Sequence, residues 1–429
     1  MQDLLPGESA WVEIEHQSAH KPQVWAKIVE RSSELSASRV PPACPAFGEC
    51  GGCAWQHLDH SGQRDEKRNR VQAVLDAHLD QVPTLLPPSP AATTQYRNKG
   101  KYVVAKVGDR VVLGAYKPRS HEVVSTLACQ VVEAPIARVA TAMAEHLTAQ
   151  QPEIYDESTS GSQGLRYIII RANGAGELLV LLVCTSATSA ADVAELAEST
   201  LSEPGVVGVL RCDNDSRAGV LLTEAISPLC GSATLGESAS GYELTLGPAA
   251  FWQLNRTQAA KAFDDLAKEL ALPAASYVVE LYCGVGAISF ALANEGYRVL
   301  GIESTSEAIA TARAAAAAAG LDESLRFLEA DATALEPSLL AEADAIVVDP
   351  PRKGLGSAGR QQLLLAKPQV IAYLSCGPES LAKDLAVLTA GGYTLESVRL
   401  YDFMPGTSQV ESLAILRLGS QSSPAQRSS

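Results

Sequence analysis

The sequence predicts an α/β protein with a doubly wound, mostly parallel sheet in its C-terminal part, an α+β central region and a small N-terminal β module. Three observations lead there. After Phe251, short apolar runs alternate regularly with segments of helical period, as in successive βαβ units. From about residue 95 to 250, strand-like runs follow one another with only two helical stretches among them, an α+β pattern. The first forty residues carry two runs of apolar/polar alternation and no helical period.

In chain order, Trp11-Val12-Glu13-Ile14-Glu15 and Val24 to Glu30 read as two strands, and residues 1–40 as a small β module. Pro41-Pro42 breaks the pattern and opens a loop rich in Cys and Gly over 41–60. Val71, Val74, Leu75 and Leu79 then recur at helical spacing between about 62 and 80. Strands are expected at Lys101–Val107, Val111–Tyr116, Tyr167–Arg171, Glu177–Cys184 and Val206–Arg211, with helices near 136–149 and 187–202, so 61–250 reads as one central α+β domain. In the last domain, 251–418, strands are expected at 277–282, 298–303, 325–329, 344–349 and 370–375. Helices fall at 287–295, 306–318 and 378–390, and Tyr393–Leu400 and Val410–Leu418 close the sheet. Residues 419–429 are polar and are expected to be a disordered tail.

A chain of 429 residues exceeds one ordinary core, which agrees with several domains. No apolar run is long enough to cross a bilayer, and the N-terminus has no basic start followed by an apolar stretch; a cytoplasmic enzyme is the expectation. Nine cysteines, scattered and odd in number, argue for reduced thiols or metal ligands rather than a disulfide scaffold. The net charge of −15 makes any nucleic-acid contact depend on local cation density. Such density exists: Arg97, Lys99, Lys101, Lys106, Arg110, Lys117 and Arg119 surround the single acid Asp109, and Arg64, Lys67, Arg68 and Arg70 make a second cluster. As charge runs alone, both also read as solvated faces.

The chemistry-bearing residues fall at expected strand ends. The strand Tyr277–Leu281 runs into Tyr282-Cys283-Gly284-Val285-Gly286, where glycines allow a tight turn and close approach to a ligand at the next helix. Nineteen residues past Gly284 stands Glu303, where a carboxylate would bind a ribose diol, and Asp331 follows the third strand. The third glycine of a dinucleotide fingerprint is missing, which favours a cofactor without pyrophosphate, namely S-adenosylmethionine. The fourth strand ends in Asp349-Pro350-Pro351-Arg352-Lys353-Gly354, a stiff loop that holds the Asp349 carboxylate. Arg352 stands where amino-group methyltransferases carry a stacking aromatic, which disfavours exocyclic nitrogen as the target. A lone cysteine such as Cys376 after a buried strand is ordinarily a core residue. With Glu411 and the glycine turn, Cys376 reads instead as a nucleophile beside a base and a cofactor. Cys44, Cys50 and Cys53 put three thiols on one short loop and Cys129 can add a fourth, a set that suits structural zinc or a [4Fe-4S] cluster.

Taken together the motifs are identifiable. Cys44-x5-Cys50-x2-Cys53 with Cys129, Tyr96-Arg97-Asn98-Lys99, Phe251-Trp252-Gln253-Leu254-Asn255, Leu281–Gly286, Asp349–Gly354, Ser375-Cys376 and Thr407–Ser412 stand in one order. Over residues 5–418 the chain resembles the bacterial RNA 5-methyluridine methyltransferases that carry an iron–sulfur cluster, the group that includes the 23S ribosomal RNA uracil-5 enzymes. The resemblance implies a class I S-adenosylmethionine methyltransferase fold with an RNA-binding central domain. It further implies that Gln253, Tyr282, Glu303, Asp331 and Asp349 line the S-adenosylmethionine site, that Cys376 is the nucleophile and Glu411 the base, and that the four cysteines bind [4Fe-4S]. The expected substrate is a single-stranded or loop uridine, most directly in 23S rRNA, and the expected state is a monomer with no membrane partner. Gly377-Pro378 replaces the family's common Asn-Pro, Gln409 stands where many members have His, and Leu5-Pro6-Gly7-Glu8 resembles the middle of a TRAM barrel whose first half is absent. Two other readings are a transfer-RNA enzyme acting on the T-loop uridine and a catalytically silent RNA-binding protein with a metal cluster. The charge of the cleft mouth, through Arg352 or Lys353, is expected to lower the Cys376 pKa.

Overall fold

The structure, a computed structural model, describes residues 4–19, 24–159, 161–216 and 220–419; the expected tail lies, but for Gly419, outside them. Strands β1 (Ala10–Gln17) and β2 (Val24–Arg31) form an antiparallel pair joined to no other described strand. Helix α1 (His60–Asp76) follows the cysteine loop. The central region contains β3 (Lys99–Val107), β4 (Arg110–Tyr116), β5 (Val123–Ser125), α2 (Ala134–Gln150), β6 (Leu165–Ala172), β7 (Leu178–Cys184), α3 (Ala194–Leu201), β8 (Val206–Asp213) and β9 (Ile226–Gly231). They build a sheet of order β5-β4-β3-β6-β7-β8-β9, in which only β7 and β8 run parallel. Helices α2 and α3 cover one face, where Ile136, Val139, Met143 and Leu147 meet Ile168, Ile170, Val180 and Leu182. The hairpin β10 (Leu235–Ala239) and β11 (Tyr242–Leu246) leads out of this region.

The C-terminal region runs α4 (Arg256–Glu269), β12 (Tyr277–Leu281), α5 (Ala287–Asn294), β13 (Arg298–Glu303), α6 (Ser306–Ala318), β14 (Leu325–Glu329), β15 (Ala345–Val348), α7 (Gly356–Ala366), β16 (Val370–Ser375), α8 (Pro378–Ala390), β17 (Tyr393–Tyr401) and β18 (Glu411–Leu418). Its sheet has the order β14-β13-β12-β15-β16-β18-β17, with the first five strands parallel and β18 antiparallel to both neighbours. The chain proceeds outward from β12 in one direction to β14 and then crosses back to β15. The carboxyl ends of β12, β13 and β15 therefore border a topological switch point, where such sheets bind ligands. Apolar side chains pack on both faces. One face gathers Phe263, Leu266, Phe290 and Phe327, and also Leu244 and Leu246 of β11; the other gathers Ile346, Ile371, Leu381 and Leu385, and also Val71 and Leu75 of α1. Residues that the sequence groups into one central unit thus pack into more than one core.

Helices α4 and α7, strands β5 and β9 and the β10–β11 hairpin were not expected. Helix α4 starts at Asn255, whose side chain accepts the Gln258 amide at 3.2 Å, and buries Ala259, Phe263 and Leu266 at helical spacing. Helix α7 buries only Gly359 and Leu363 and starts among glycines, so its period is faint. The short β5 and β9 are sheet-edge strands held by their ladders. Among the described residues no helix is long and apolar enough to cross a membrane.

Candidate active site

Strand β16 ends at Ser375, whose hydroxyl accepts the Gly377 amide at 3.1 Å. Pro378 then opens α8 at its first turn, where a missing N–H costs nothing. Cys376 is held in the sharp turn between them, half-buried, at the carboxyl edge of the sheet. On the neighbouring strand Ser412 pairs with Ser375. The ladder ends at that pair, so Cys376, the residue after Ser375, and Glu411, the residue before Ser412, leave the same end of it, and the Glu411 charge acts on the Cys376 thiol.

The thiol and its surroundings are electrostatically coupled. Burial pushes the Cys376 thiol up, the charges of Glu411 and Asp349 push it further, and Arg352 opposes them. This corrects the expectation of a lowered pKa: Arg352 acts in the expected direction, but desolvation and the two carboxylates outweigh it. Glu411 is itself raised well above the carboxylate range by burial and by Asp349, again with Arg352 opposing. Asp349 is pushed up to about 7 by burial. Three acids thus share one poorly solvated corner, a pattern that marks functional sites.

Cys376 opens into a cavity of about 420 Å³ lined by Arg70, Arg352, Lys353, Arg360 and Lys383 against Glu379 and Asp384, which pair with Arg70 and Arg360. The Arg352 guanidinium donates to Gln409 Oε1 at 2.6 Å, which ties the Asp-Pro-Pro-Arg loop to the segment leading into Glu411.

The cofactor half lies at the switch point. Tyr282, directly after β12, has φ +65°, a left-handed conformation that costs a tyrosine free energy. Gly286 begins α5 with φ +88°, and a Cβ there would stand 2.7 Å from the Phe327 ring, so this glycine is required twice over. Glu303 reaches back to the turn: Oε2 accepts from the Gly284 amide at 3.3 Å, while Oε1 accepts from the Ser304 and Thr305 amides at 2.8 and 2.9 Å. Asp331 is exposed at the rim, where it accepts from the Thr333 amide and hydroxyl, both at 2.8 Å, and its charge helps raise the Tyr282 hydroxyl, for which burial is the larger cause. Gln253 stands on the segment before α4, and the Asn98 side chain donates to its carbonyl at 2.9 Å. The structure therefore gathers Cys376, Glu411 and Asp349 in one corner, and sets Tyr282, Glu303 and Asp331 around the glycine turn; Gln253 comes from a separate segment braced by the central region. Glu280, buried beneath the turn, receives a hydrogen bond from Ser289 and is pushed up to about 8 by burial.

Cys44, Cys50, Cys53 and Cys129 line a separate cavity of about 450 Å³. None forms a disulfide. Burial, opposed by Gln56, pushes Cys53 up to about 11. Among the described residues no group of three or more His, Cys, Asp or Glu side chains is drawn together to hold a metal ion.

Sequence reasoning missed the role of Lys67. Counted there with an exposed basic cluster, it is wholly buried and bonded to Asp402 Oδ1 at 2.5 Å and to the Met404 carbonyl at 3.1 Å. The signal was present: Gln63, Lys67, Val71 and Leu75 recur at every fourth residue and form the buried stripe of α1.

Comparison with known proteins bears on the family and the fold. The family model described as tRNA (Uracil-5-)-methyltransferase matches residues 242–418. An uncharacterized RNA methyltransferase of Listeria innocua is 30% identical over 424 residues, covering 97% of this chain and 92% of that protein. Another, from Parasynechococcus marenigrum, is 32% identical over 96% of this chain and 89% of its own length. The Pyrococcus abyssi tRNA (uracil-54, C5)-methyltransferase, solved with S-adenosyl-L-homocysteine, superposes with a TM-score of 0.75 at 23% identity over 95% of this chain and 93% of that one, a likeness of fold. The chain belongs to the RNA uracil-5 methyltransferase family, enzymes that methylate carbon 5 of uracil in RNA from S-adenosylmethionine.

Proposed function

We propose that this enzyme methylates a uridine of 23S rRNA through a transient bond between Cys376 and uracil carbon 6, with Glu411 as the base. The observation that carries the reading is the end of the β16–β18 ladder at Ser375 and Ser412, which brings Cys376 and Glu411 to one sheet edge, where their charges are coupled and Cys376 lines a cavity. Carbon 5 of uracil is a poor nucleophile. Addition of the Cys376 thiolate at carbon 6 makes the ring an enolate and moves electron density to carbon 5. When bound, S-adenosylmethionine supplies the electrophilic methyl group and a positive charge. Glu411 then takes the proton from carbon 5, the carbon–sulfur bond breaks, and the thiolate leaves. Cys376 must first lose its proton, through the open mouth of the cavity, and Arg352 is the cation that favours that state. The uridine must leave its stack to reach the thiol, which favours a loop or single strand.

For the methyl donor, Glu303 has the position and orientation to meet a ribose diol, Tyr282 and Asp331 flank the base side, and Gln253 and Asp349 complete the wall. These residues fit the group: a Cβ at Gly284 would meet nothing within 4 Å, so the turn is open on the ligand side.

Cys44, Cys50, Cys53 and Cys129 would hold a [4Fe-4S] cluster. The donor set is all thiol and surrounds one cavity. A single tetrahedral zinc would need sulfurs roughly 3.8 Å apart at its usual bond length. Four thiols without a histidine suit either zinc or a cluster, and it is the resemblance to the iron–sulfur members of the family that favours the cluster.

Transfer RNA is the second reading, since it is the substrate in the name of the matching family model and of the Pyrococcus enzyme. The cysteine loop favours ribosomal RNA. The silent reading requires damage to Gln253, Asp349, Cys376 or Glu411, and all four are present. Base-resolution mapping of 5-methyluridine in ribosomal and transfer RNA of a deletion strain decides the substrate: loss from 23S rRNA alone supports the proposal, and loss from transfer RNA alone overturns it.

A further inference from the structure

Strands β3 and β6 bring Lys99 directly opposite Arg171, with Lys101 two residues along the same face and Arg97 just before the strand. Like charges opposed across a ladder destabilise a sheet. No carboxylate lies within ion-pair distance of any of the four among the described residues. Arg171, itself buried, spends its guanidinium on the Gly247 and Ala250 carbonyls, and Arg97 donates to the Lys99 carbonyl at 3.0 Å. The one acid that acts on Arg171 is Glu237, which lies 3.8 Å from Arg256. Burial first, then the charges of Arg171, Arg97 and Lys101, push the Lys99 ammonium down to about 8. In a chain of net charge −15, such a concentration of unneutralised cations is a costly local feature, not background.

Its location gives it a use. The same strand start bonds to the segment before α4: Asn98 donates from its amide to the Leu254 carbonyl at 3.0 Å and from its side chain to that of Gln253. Arg171 bonds the residue before Phe251, whose ring is 73% exposed. On the same face Lys101, itself exposed, lies 5.3 Å over the half-buried Tyr167 ring.

We propose that Arg97, Lys99 and Lys101, with Arg171 buried beside them, form a phosphate-binding site on the face of the central sheet away from α2 and α3, which grips the backbone of single-stranded RNA next to the methylated uridine, with Tyr167 as a stacking face for a neighbouring base. An anion between Lys99 and Arg171 removes the repulsion that the free protein carries, and a cation track with aromatic faces is the general device for holding a single strand. The inference rests on the reading that the Cys376 cavity receives an RNA uridine.

The test is binding of a labelled single-stranded, uridine-containing RNA to the full-length protein between 50 and 300 mM salt, alongside S-adenosylmethionine titration and a thermal melt. In Lys99→Gln/Lys101→Gln the slope of log affinity against log salt should fall by about 1.4, since each lost single-strand contact takes about 0.7. The KM for RNA should rise about tenfold while the methyl-donor affinity holds. Lys99→Arg should restore the slope, and so separate charge from folding. An unchanged slope overturns the proposal. So does an equal loss in Lys106→Gln/Arg110→Gln at the far end of the β3–β4 pair, which would mean a diffuse field. Failure of the underlying reading looks different: Cys376→Ala would still yield 5-methyluridine, whatever the slope.

Discussion

Lys67 Nζ lies 2.5 Å from Asp402 Oδ1, and neither side chain has any surface open to solvent. The pair anchors the segment from Asp402 to Gln409 that delivers Glu411. Around it the Trp55 amide donates to the Gly406 carbonyl at 2.8 Å, the Gly406 amide to Gln63 Oε1 at 2.7 Å, and the Tyr96 hydroxyl to the Pro405 carbonyl at 2.9 Å. A Cβ on Gly406 would stand 3.7 Å from Cys53 Sγ, so the cysteine loop and the catalytic segment share one packed layer.

Removing one partner of such a pair leaves a buried charge without compensation, at a cost of about 3–5 kcal/mol. Lys67→Met should therefore lower the unfolding free energy by about that amount, measured by denaturant titration. Lys67→Met combined with Asp402→Leu should recover much of the loss. A double variant no better than the single would show that the pair's charge is not what the site requires.

The sequence made the catalytic sheet legible because its strands are short apolar runs with sharp polar ends: the limits expected for β13, β14 and β16 are those observed. Glu303 and Asp349 stand out for the same reason, each being the first polar residue past such a run, and Cys376 follows the one at Ser375. Lys67 was hidden because a charged residue on an apolar stripe reads as surface until its partner, more than three hundred residues away, is known. The direction of the Cys376 shift was hidden likewise: Arg352 is visible in a motif, whereas the desolvation that outweighs it comes from packing.

Arg352 pulls down both Cys376 and Glu411, the two groups that the proposed mechanism needs ionised. The free-enzyme profile of kcat/KM should rise with pH through neutrality. In Arg352→Gln that rise should move to higher pH, because a favourable charge is lost at both groups. A profile that keeps its position would remove Arg352 from the electrostatics of the thiol and leave it only its hydrogen bond to Gln409.

Asp349 gives a stability prediction with a definite sign. Its folded pKa of about 7 exceeds the 3.8 of a free aspartate, so between these values the folded state holds a proton that the unfolded state has lost. Stability from this group therefore falls as pH rises from about 4 to 7 and levels off above. Asp349→Asn removes the penalty. It should match the wild type near pH 4 and exceed it at pH 8 by on the order of 2 kcal/mol, the full shift being discounted for the side chain's partial solvation. Melts at the two pH values check this, and equal differences at both would mean that Asp349 is ionised without cost.

The division of labour between Cys376 and Glu411 separates in two variants. Cys376→Ala should abolish turnover, since it removes the thiol that adds to carbon 6, while the methyl-donor affinity measured by calorimetry should change little. Glu411→Gln leaves the thiol able to add and the methyl able to transfer, but nothing takes the carbon-5 proton. It should lower kcat by about 10²–10⁴-fold, the usual worth of a positioned base, and trap protein joined to RNA as a slow band on a denaturing gel. The band should vanish in Cys376→Ala/Glu411→Gln. A Glu411→Gln enzyme that turns over slowly without accumulating the adduct would mean that another group, with Asp349 the nearest charge in that corner, removes the proton.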